Sequence, residues 1–436
     1  MVIVMMITQK NSYIDSIDQK IMPFVRYGDY PDRYPALSAL SFNKYFYLEL
    51  REASRELFAI FEKVVKIFQK APKKFQEQMD IPQKLIPFLN IPNALNLSTW
   101  LSRFDFVIDE NNDFKVIEIN SDTPCAVIES YYVNQIAAES FGYTNPNLGE
   151  DHRLTSFLYQ IKQQISPPKI NLASGNFNSE RPFIFSCFDD YVEDFGTTKY
   201  LMDLMKINSV ANDVEFVSFY DLQVDDEGIL LPDGRHAAAI YRLHPMEILI
   251  EETATDGTDL GVMFLEKYAE GKFAMFNPPE AIIMQNKSFL ALVWQVYLSG
   301  KFFNSHESKI IERYMLPSFF EDDLNLINGG EFIKKPIWGR EGRNISIIDG
   351  STKNTIYEHQ IENPEDVVCR ESNKFMYQKF VQTPKFEALT DSGRLEGFIT
   401  LSCFMLGDKP SAVYCRFSQE KVIGTEAYFV PLLEEE

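Results

Sequence analysis

Apolar residues recur at helical spacing through residues 46–70, where Leu50, Ala53, Leu57, Phe61, Val64, Val65 and Phe68 share one face. This predicts an amphipathic helix ending at Ala71-Pro72. The period then changes. In RFDFVIDENNDFKVIEINSDTP, residues 103–124, apolar runs from Phe104 to Ile108 and from Phe114 to Ile119 flank the polar Glu110-Asn111-Asn112-Asp113. Two strands joined by a four-residue hairpin loop are expected. The continuous apolar run RPFIFSCF (181–188) suits a buried strand, and the acids at 189, 190, 193 and 194 suit the first turn of a helix through Tyr200. NDVEFVSF, AAAIYRLH and KSFLALVWQVYLSG continue as strand, strand and helix, an α/β pattern. Over the last hundred residues EFIKKPI, NISIID, KFMYQKFV, EGFITLSCFML and AVYCRF read as strands of an antiparallel sheet, with LGDKPS (406–411) as a hairpin turn. The fold class expected is thus α+β with α/β parts, in three segments: a helical 1–100, a hairpin plus α/β region over 101–280, and an antiparallel region over 281–436.

The hairpin carries the first chemical question. If Asp109 pairs with Phe114, Val107 lies opposite Val116, Asp105 opposite Glu118 and Arg103 opposite Asn120, all on one face. Two carboxylates about 5 Å apart at an effective dielectric near 20 repel by roughly 3 kcal/mol, a large share of a domain's net stability. A positive partner should offset this, either Arg103 or a hard divalent cation such as Mg²⁺, which takes one or two carboxylates, a neutral oxygen and phosphates. A surface hairpin with a wet polar face is the plain alternative.

A second polar constellation lies in KKPIWGREGRNISI, with Lys335, Gly339, Arg340, Gly342 and Arg343. No GxxxxGK[ST] occurs, and the loop joins strand to strand, so it is neither a Walker loop nor a Rossmann fingerprint. Backbone N–H groups and fixed positive charge can still fold over phosphates there; an ordinary hairpin turn is the alternative. Lys287 stands at a helix start, unfavourable for a lysine.

Composition narrows the partners. With 436 residues the length suits two or three domains, and 45% hydrophobic with 24% charged residues is ordinary for a globular protein. A formal charge of −21 argues against nucleic acid and anionic membranes. MVIVMMITQK is apolar for too few residues to be a signal peptide, and no run of 18 apolar residues suggests a membrane span. Five scattered cysteines without a CxxC are expected to be reduced thiols, which points to the cytoplasm.

Taken in order, RFD, then EIN-DTP, NKSFLALVW, KKPIWGREGRNISI and MYQKF resemble the synthetase domain of the glutathionylspermidine synthase family, from about residue 20 to the C-terminus. The resemblance implies a circularly permuted ATP-grasp fold with a pre-ATP-grasp α/β domain, because the acid-x-asparagine strand precedes the lysines. It further implies a stand-alone relative without the amidase half of the bifunctional enzymes. On it, Asp105, Glu118 and Asn120 match Mg²⁺ ligands, and Arg103 the arginine that stabilises the transition state. Lys287 and Lys335 match nucleotide-binding lysines, Gly339, Arg340 and Gly342 the phosphate-covering loop, and Tyr377 and Gln378 the segment beside adenine. Thr123, Glu193 and Asp194 match substrate contacts, and Arg416 a C-terminal arginine near the active site. The sequence departs from the glutathione-specific pattern where YRLHPME puts Leu243 and His244 at a Thr and a Trp, and where Asp194 replaces a Glu.

The function expected is an ATP-dependent carboxylate–amine ligase using ATP and Mg²⁺, joining a small carboxylic acid or peptide to an amine, with a polyamine among the candidates and glutathione not assigned. Two rivals are a non-catalytic relative that binds nucleotide or polyamine, against which an intact Arg103, Asp105, Glu118, Asn120 and Lys335 counts, and a metal-dependent hydrolase, which leaves the glycine loop and the lysines unexplained.

Overall fold

The computed structural model describes residues 5–8, 12–26, 32–165, 180–207, 213–360, 369–370, 372–424 and 426–435. The helix expected from the 46–70 pattern spans Lys44–Gln69 and starts where the Asn43 side chain accepts a hydrogen bond from the Phe46 amide. Its apolar stripe is fully used. Phe61 meets Phe104 at 5.4 Å between ring centroids and Phe46 meets Phe114 at 4.8 Å. The apolar face of the hairpin is thereby covered, and its other face is left for polar chemistry.

That hairpin, Leu101–Ile108 with Phe114–Asn120, is the edge of a six-stranded antiparallel sheet continued by Gly393–Leu406, Lys409–Ser418 and Tyr428–Phe429, with Phe386–Thr390 beside Gly393–Leu406. A five-stranded antiparallel sheet holds Ser318–Phe320, Phe375–Lys379, Glu331–Pro336, Ser346–Asp349 and Thr355–Glu358. The single antiparallel sheet expected at the C-terminal end is therefore two sheets. The chain leaves strand geometry between Lys379 and Phe386, where Pro384 has no N–H to give a ladder. The α/β expectation holds in a four-stranded, all-parallel sheet ordered Ala274–Phe276, Ala239–Arg242, Phe183–Ser186, Val214–Phe216. Helix Val192–Lys206 follows Phe183–Ser186; of the acidic run only Glu193 and Asp194 fall in its first turn, Asp189 and Asp190 lie in the turn before it, and it runs six residues past Tyr200.

The three sequence segments are stitched together by shared sheets. Ser38–Asn43 runs parallel to Leu432–Glu435, and Leu101–Ile108 pairs with Gly393–Leu406. The 1–100 segment contributes strands Met5–Thr8 and Ser38–Asn43 as well as its helix. Among the described residues no helix is long and apolar enough to cross a membrane.

The hairpin register is half as expected. Arg103 pairs with Asn120 and Asp105 with Glu118, but Phe106 then pairs with Val116, Val107 with Lys115 and Ile108 with Phe114. A β-bulge causes the shift, leaving Ile117 with no counterpart and a connection of residues 109–113. The Asp109–Phe114 and Val107–Val116 pairings do not form. The cause is that the bulge lets Val116 and Phe106 both turn to the core while Glu118 and Asp105 stay on the polar face.

Candidate active site

The polar face of the hairpin looks into a cavity of about 870 Å³. Its wall includes Arg103, Glu118, Asn120, Thr123, Glu193 and Asp194, and also Lys287, Lys335, Gly339, Arg340, Gly342, Gln378 and Arg416. Asp105 lies just behind that wall, fully buried. Arg103 Nε donates to Asp105 Oδ1 at 2.7 Å and Nη2 to Oδ2 at 2.9 Å, while Asn120 Nδ2 donates to Oδ2 at 3.1 Å. The repulsion between facing carboxylates is thus answered from within the chain. Such a forked, charge-assisted pair is strong and holds its geometry.

Glu118 has its own cations. Lys287, fixed just ahead of helix Phe289–Leu298 by the hydrogen bond its backbone N–H donates to the Ile337 carbonyl, donates from Nζ to Glu118 Oε2 at 2.5 Å. Lys335 Nζ donates to Gln378 Oε1 at 2.9 Å and to the carbonyl of Ile117, the bulged residue, at 3.1 Å. Burial alone would raise the Glu118 pKa. The charges of Lys287 and Lys335, and then Arg416, outweigh it and hold the carboxyl well below the usual range. Burial pulls Lys335 down to about 8 despite Glu118 beside it. Arg416 brings Nη2 to 3.7 Å from Asp105 Oδ2, and its buried Nε has no hydrogen-bond partner among the described residues.

Another part of the wall is acidic. Glu193 and Asp194 open helix Val192–Lys206, and Glu341 faces them from the glycine loop. Burial and then the Glu193 charge push Asp194 up to about 7, against the pull of Arg340. Arg340 itself is held by the buried Glu247, Nη2 to Oε1 at 2.6 Å. Glu341 and Asn344 have φ of 50° and 57°, and Gly342 has 76°. A Cβ at Gly342 would lie 2.9 Å from the His359 ring, so glycine is required there for both reasons.

Tyr377 does not join the site. Its ring packs with Ile327, Phe332 and Ile348 on the far side of the five-stranded sheet, while Gln378, one residue on, faces the cavity. Leu243 and His244 line the cavity and are buried, with His244 Nε2 3.2 Å from Glu252 Oε1.

Several positioning residues escaped the sequence reading. Asn277 accepts from the Trp100 and Leu101 amides and donates to the carbonyls of Leu101, Ser121 and Asp122, tying the hairpin's two ends together. Gln285 Oε1 accepts from the Ser121 and Asp122 amides. Arg242 and Asp122 form a fully buried ion pair, with Nη1 to Oδ2 at 3.1 Å. A charged residue inside the apolar run AAAIYRLH was the available signal, because a buried guanidinium demands a partner.

Among the described residues no group of three or more His, Cys, Asp or Glu could hold a metal ion. What gathers is two carboxylates and one amide, Asp105, Glu118 and Asn120. These are hard oxygen donors suited to Mg²⁺ that arrives with phosphate and water.

A family model described as "Glutathionylspermidine synthase preATP-grasp" matches residues 10–433. A Haemophilus influenzae protein with the provisional name acid–amine ligase is 23% identical over 345 residues, covering 76% of this chain and 73% of that protein. A glutathione synthetase-like effector from Globodera pallida, solved in its apo form, superposes with a TM-score of 0.53 at 12% identity over 92% of this chain and 90% of its own. At that identity the likeness concerns the fold.

Proposed function

Because the chain belongs to the glutathionylspermidine synthase pre-ATP-grasp family, we propose that it is an ATP-dependent carboxylate–amine ligase. The observation that carries this reading is one cavity whose wall holds two unlike groups of charge. Lys287, Lys335, Arg103 and Arg416 surround Glu118 and Asp105, and Glu193, Asp194 and Glu341 stand together beside them, with Arg416 acting on both Glu118 and Glu341. The cationic group suits a nucleotide's phosphates, and the acidic group an ammonium.

In this reading the γ-phosphoryl of ATP passes to a substrate carboxylate, and the amine then displaces phosphate from the acyl phosphate. Lys287 and Lys335 hold phosphate oxygens, and Gln378 orients Lys335. Gly339, Arg340 and Gly342 form the loop that covers the phosphates. Arg103, already locked by Asp105, presents fixed charge to the oxygens that gain charge in transfer. Asp105, Glu118 and Asn120 are the residues that would hold Mg²⁺. When bound, that ion neutralises charge between phosphates. Arg416, with a buried donor in reserve, serves the same oxygens, and Thr123, Glu193 and Asp194 contact the acid and the amine. Leu243 and His244 give no hydroxyl or indole to a tripeptide, so glutathione is not assigned as the acid. The five cysteines, none in a disulfide, accord with a cytoplasmic setting.

The test is ADP release against a panel of carboxylic acids, short peptides, amines and polyamines. Release that needs both an acid and an amine supports the ligase. Tight nucleotide binding without release under any pair would favour a binding protein instead.

A further inference from the structure

Behind the cavity wall lies a polar chain that the proposed reaction has not used. Tyr34 Oη donates to Glu129 Oε1 at 3.0 Å and lies 2.7 Å from Tyr414 Oη. Both tyrosines line the cavity, whereas Glu129 is wholly buried, and its Oε2 has no hydrogen-bond partner among the described residues. A buried carboxyl half-satisfied in this way is costly to keep unless it has work. The local backbone is unusual too. Ala126 sits at φ 69°, and Glu129 opens a π-helical turn, Glu129–Val133, ahead of helix Asn134–Phe141; both features concentrate at functional sites. The chain ends at the reacting charge, for Arg103 lies over the Tyr414 ring at 5.8 Å and donates from Nη1 to the Cys125 carbonyl at 2.8 Å.

An amine reaches such a cavity as an ammonium ion and must lose a proton to become a nucleophile. Resting on the ligase reading, we propose that Tyr414, Tyr34 and Glu129 form a buried relay that accepts this proton. The amine's N–H bond breaks toward Tyr414 Oη as the Tyr414 proton passes to Tyr34 and the Tyr34 proton to Glu129 Oε1. The freed nitrogen pair attacks the acyl carbon, the C–N bond forms, and the C–O bond to phosphate breaks with its electrons leaving on phosphate, which carries off the second proton that the nitrogen loses in becoming an amide. After product release the proton returns to solvent by the reverse route. The groups facing the relay are Arg103 on Leu101–Ile108, Cys125 on the turn, Glu193 on helix Val192–Lys206, and Arg416 next to Tyr414. Burial and then the Glu193 charge lift Glu129 to about 7, against the Tyr34 hydrogen bond and Arg103, so the acceptor is ready above neutral pH. Glu129 thus acts through the tyrosines, and Tyr414 is the member that would touch substrate.

The experiment compares two nucleophiles, 1,3-diaminopropane, an ammonium near neutral pH, and hydroxylamine, which is largely neutral there. The acid is the one from the panel that gives the fastest ADP release. With the diamine, Glu129→Gln and Tyr34→Phe should each lower kcat by about 10²-fold or more, the usual scale of general-base loss, and remove the limb of the kcat–pH profile near 7. With hydroxylamine both variants should keep a rate within a few-fold of the unaltered protein, which also shows that they fold. Equal losses with both nucleophiles, or an unchanged pH limb, would overturn the relay while leaving the ligase intact. No turnover by the unaltered protein with any pair would sink the ligase reading and the relay together.

Discussion

The two groups of charge in the cavity wall are opposite in sign, and they are built differently. The cationic end stands on paired strands and a helix start, and three of its four charges have a close hydrogen-bond partner: Arg103 with Asp105, Lys287 with Glu118, Lys335 with Gln378. The acidic end stands on a helix start and a loop, and its carboxyls crowd one another. Glu193 raises both Asp194 and Glu341, where burial has already raised them. One group is thus set for anions with its own carboxylate held ionised, and the other gathers carboxyls that raise one another. On the proposed reading the first meets phosphate and the second ammonium.

Arg103 offers the hardest blow to this picture. Arg103→Ala should lower kcat by about 10²–10³-fold while changing ATP affinity little, since an interaction made chiefly in the transition state appears in turnover. It also strands the buried Asp105, so a stability loss of roughly 3–5 kcal/mol should accompany it. Arg103→Lys separates the two roles. If it recovers stability and kcat in step, the arginine is only structural; thermal melts and steady-state ADP release together decide.

Lys335 comes next. Lys335→Met should weaken ATP binding by about 10- to 100-fold, the worth of a charge-assisted hydrogen bond of roughly 1.5–3 kcal/mol. A lysine held near 8 by burial carries its charge below that pH and loses it above, so affinity should fall as pH rises through 8. Phosphate favours the ammonium, hence ATP binding near pH 8 should take up a proton, measurable by calorimetry in buffers of different ionisation enthalpy. The stability sign is opposite. Burying the ammonium destabilises the fold below about pH 8, and stability should rise from there toward about 10.4, the unfolded value.

At the acidic end the expected effects are smaller. Asp194→Asn should raise the KM of the amine by about 10-fold, in line with the loss of one charged hydrogen bond of roughly 1.5 kcal/mol. With its carboxyl pushed up to about 7, Asp194 is ionised above that pH, so the KM of a polyamine should fall as pH rises through 7 in the unaltered protein. The variant should lose that dependence. An amine KM that ignores both the substitution and the pH would mean the acidic end serves something else.

The same contrast explains what could be read from the sequence. Arg103, Asp105, Glu118 and Asn120 were legible because strand alternation fixes faces, and the carboxylate repulsion then asked for a cation that Arg103 supplies. The register beyond Asp105 was not, because a bulge follows from core packing of Phe106 and Val116 and leaves no mark in the local pattern. Nor was the split into two antiparallel sheets, which depends on Leu101–Ile108 joining Gly393–Leu406 across almost 300 residues. The meeting of Lys287, Lys335 and Arg416 at Glu118 is likewise a product of three distant segments, and only the family resemblance had linked them. Asn277 and Gln285 act through backbone groups of a turn, a role that no spacing announces.

Leu243 sharpens the comparison where it bears on the acid substrate. It follows the parallel strand Ala239–Arg242, its amide donates to the Ser186 carbonyl at 2.9 Å, and it is buried in the cavity wall. A leucine there cannot pair a polar group on a peptide, and leaving such a group unpaired costs roughly 1–3 kcal/mol, so acids with an apolar flank should be preferred. Leu243→Thr gives up part of a buried side chain and should destabilise the fold by about 1–3 kcal/mol. Because Leu243 touches none of Lys287, Lys335 or Glu118 by any hydrogen bond, ATP affinity and the kcat of the best pair should move by less than a few-fold. The ratio of kcat/KM between a polar peptide acid and an apolar acid should shift toward the peptide by about 10-fold. Strong ligation of glutathione by the unaltered protein would refute this reading of the pocket, and a fall in ATP affinity on Leu243→Thr would place the residue at the nucleotide end instead.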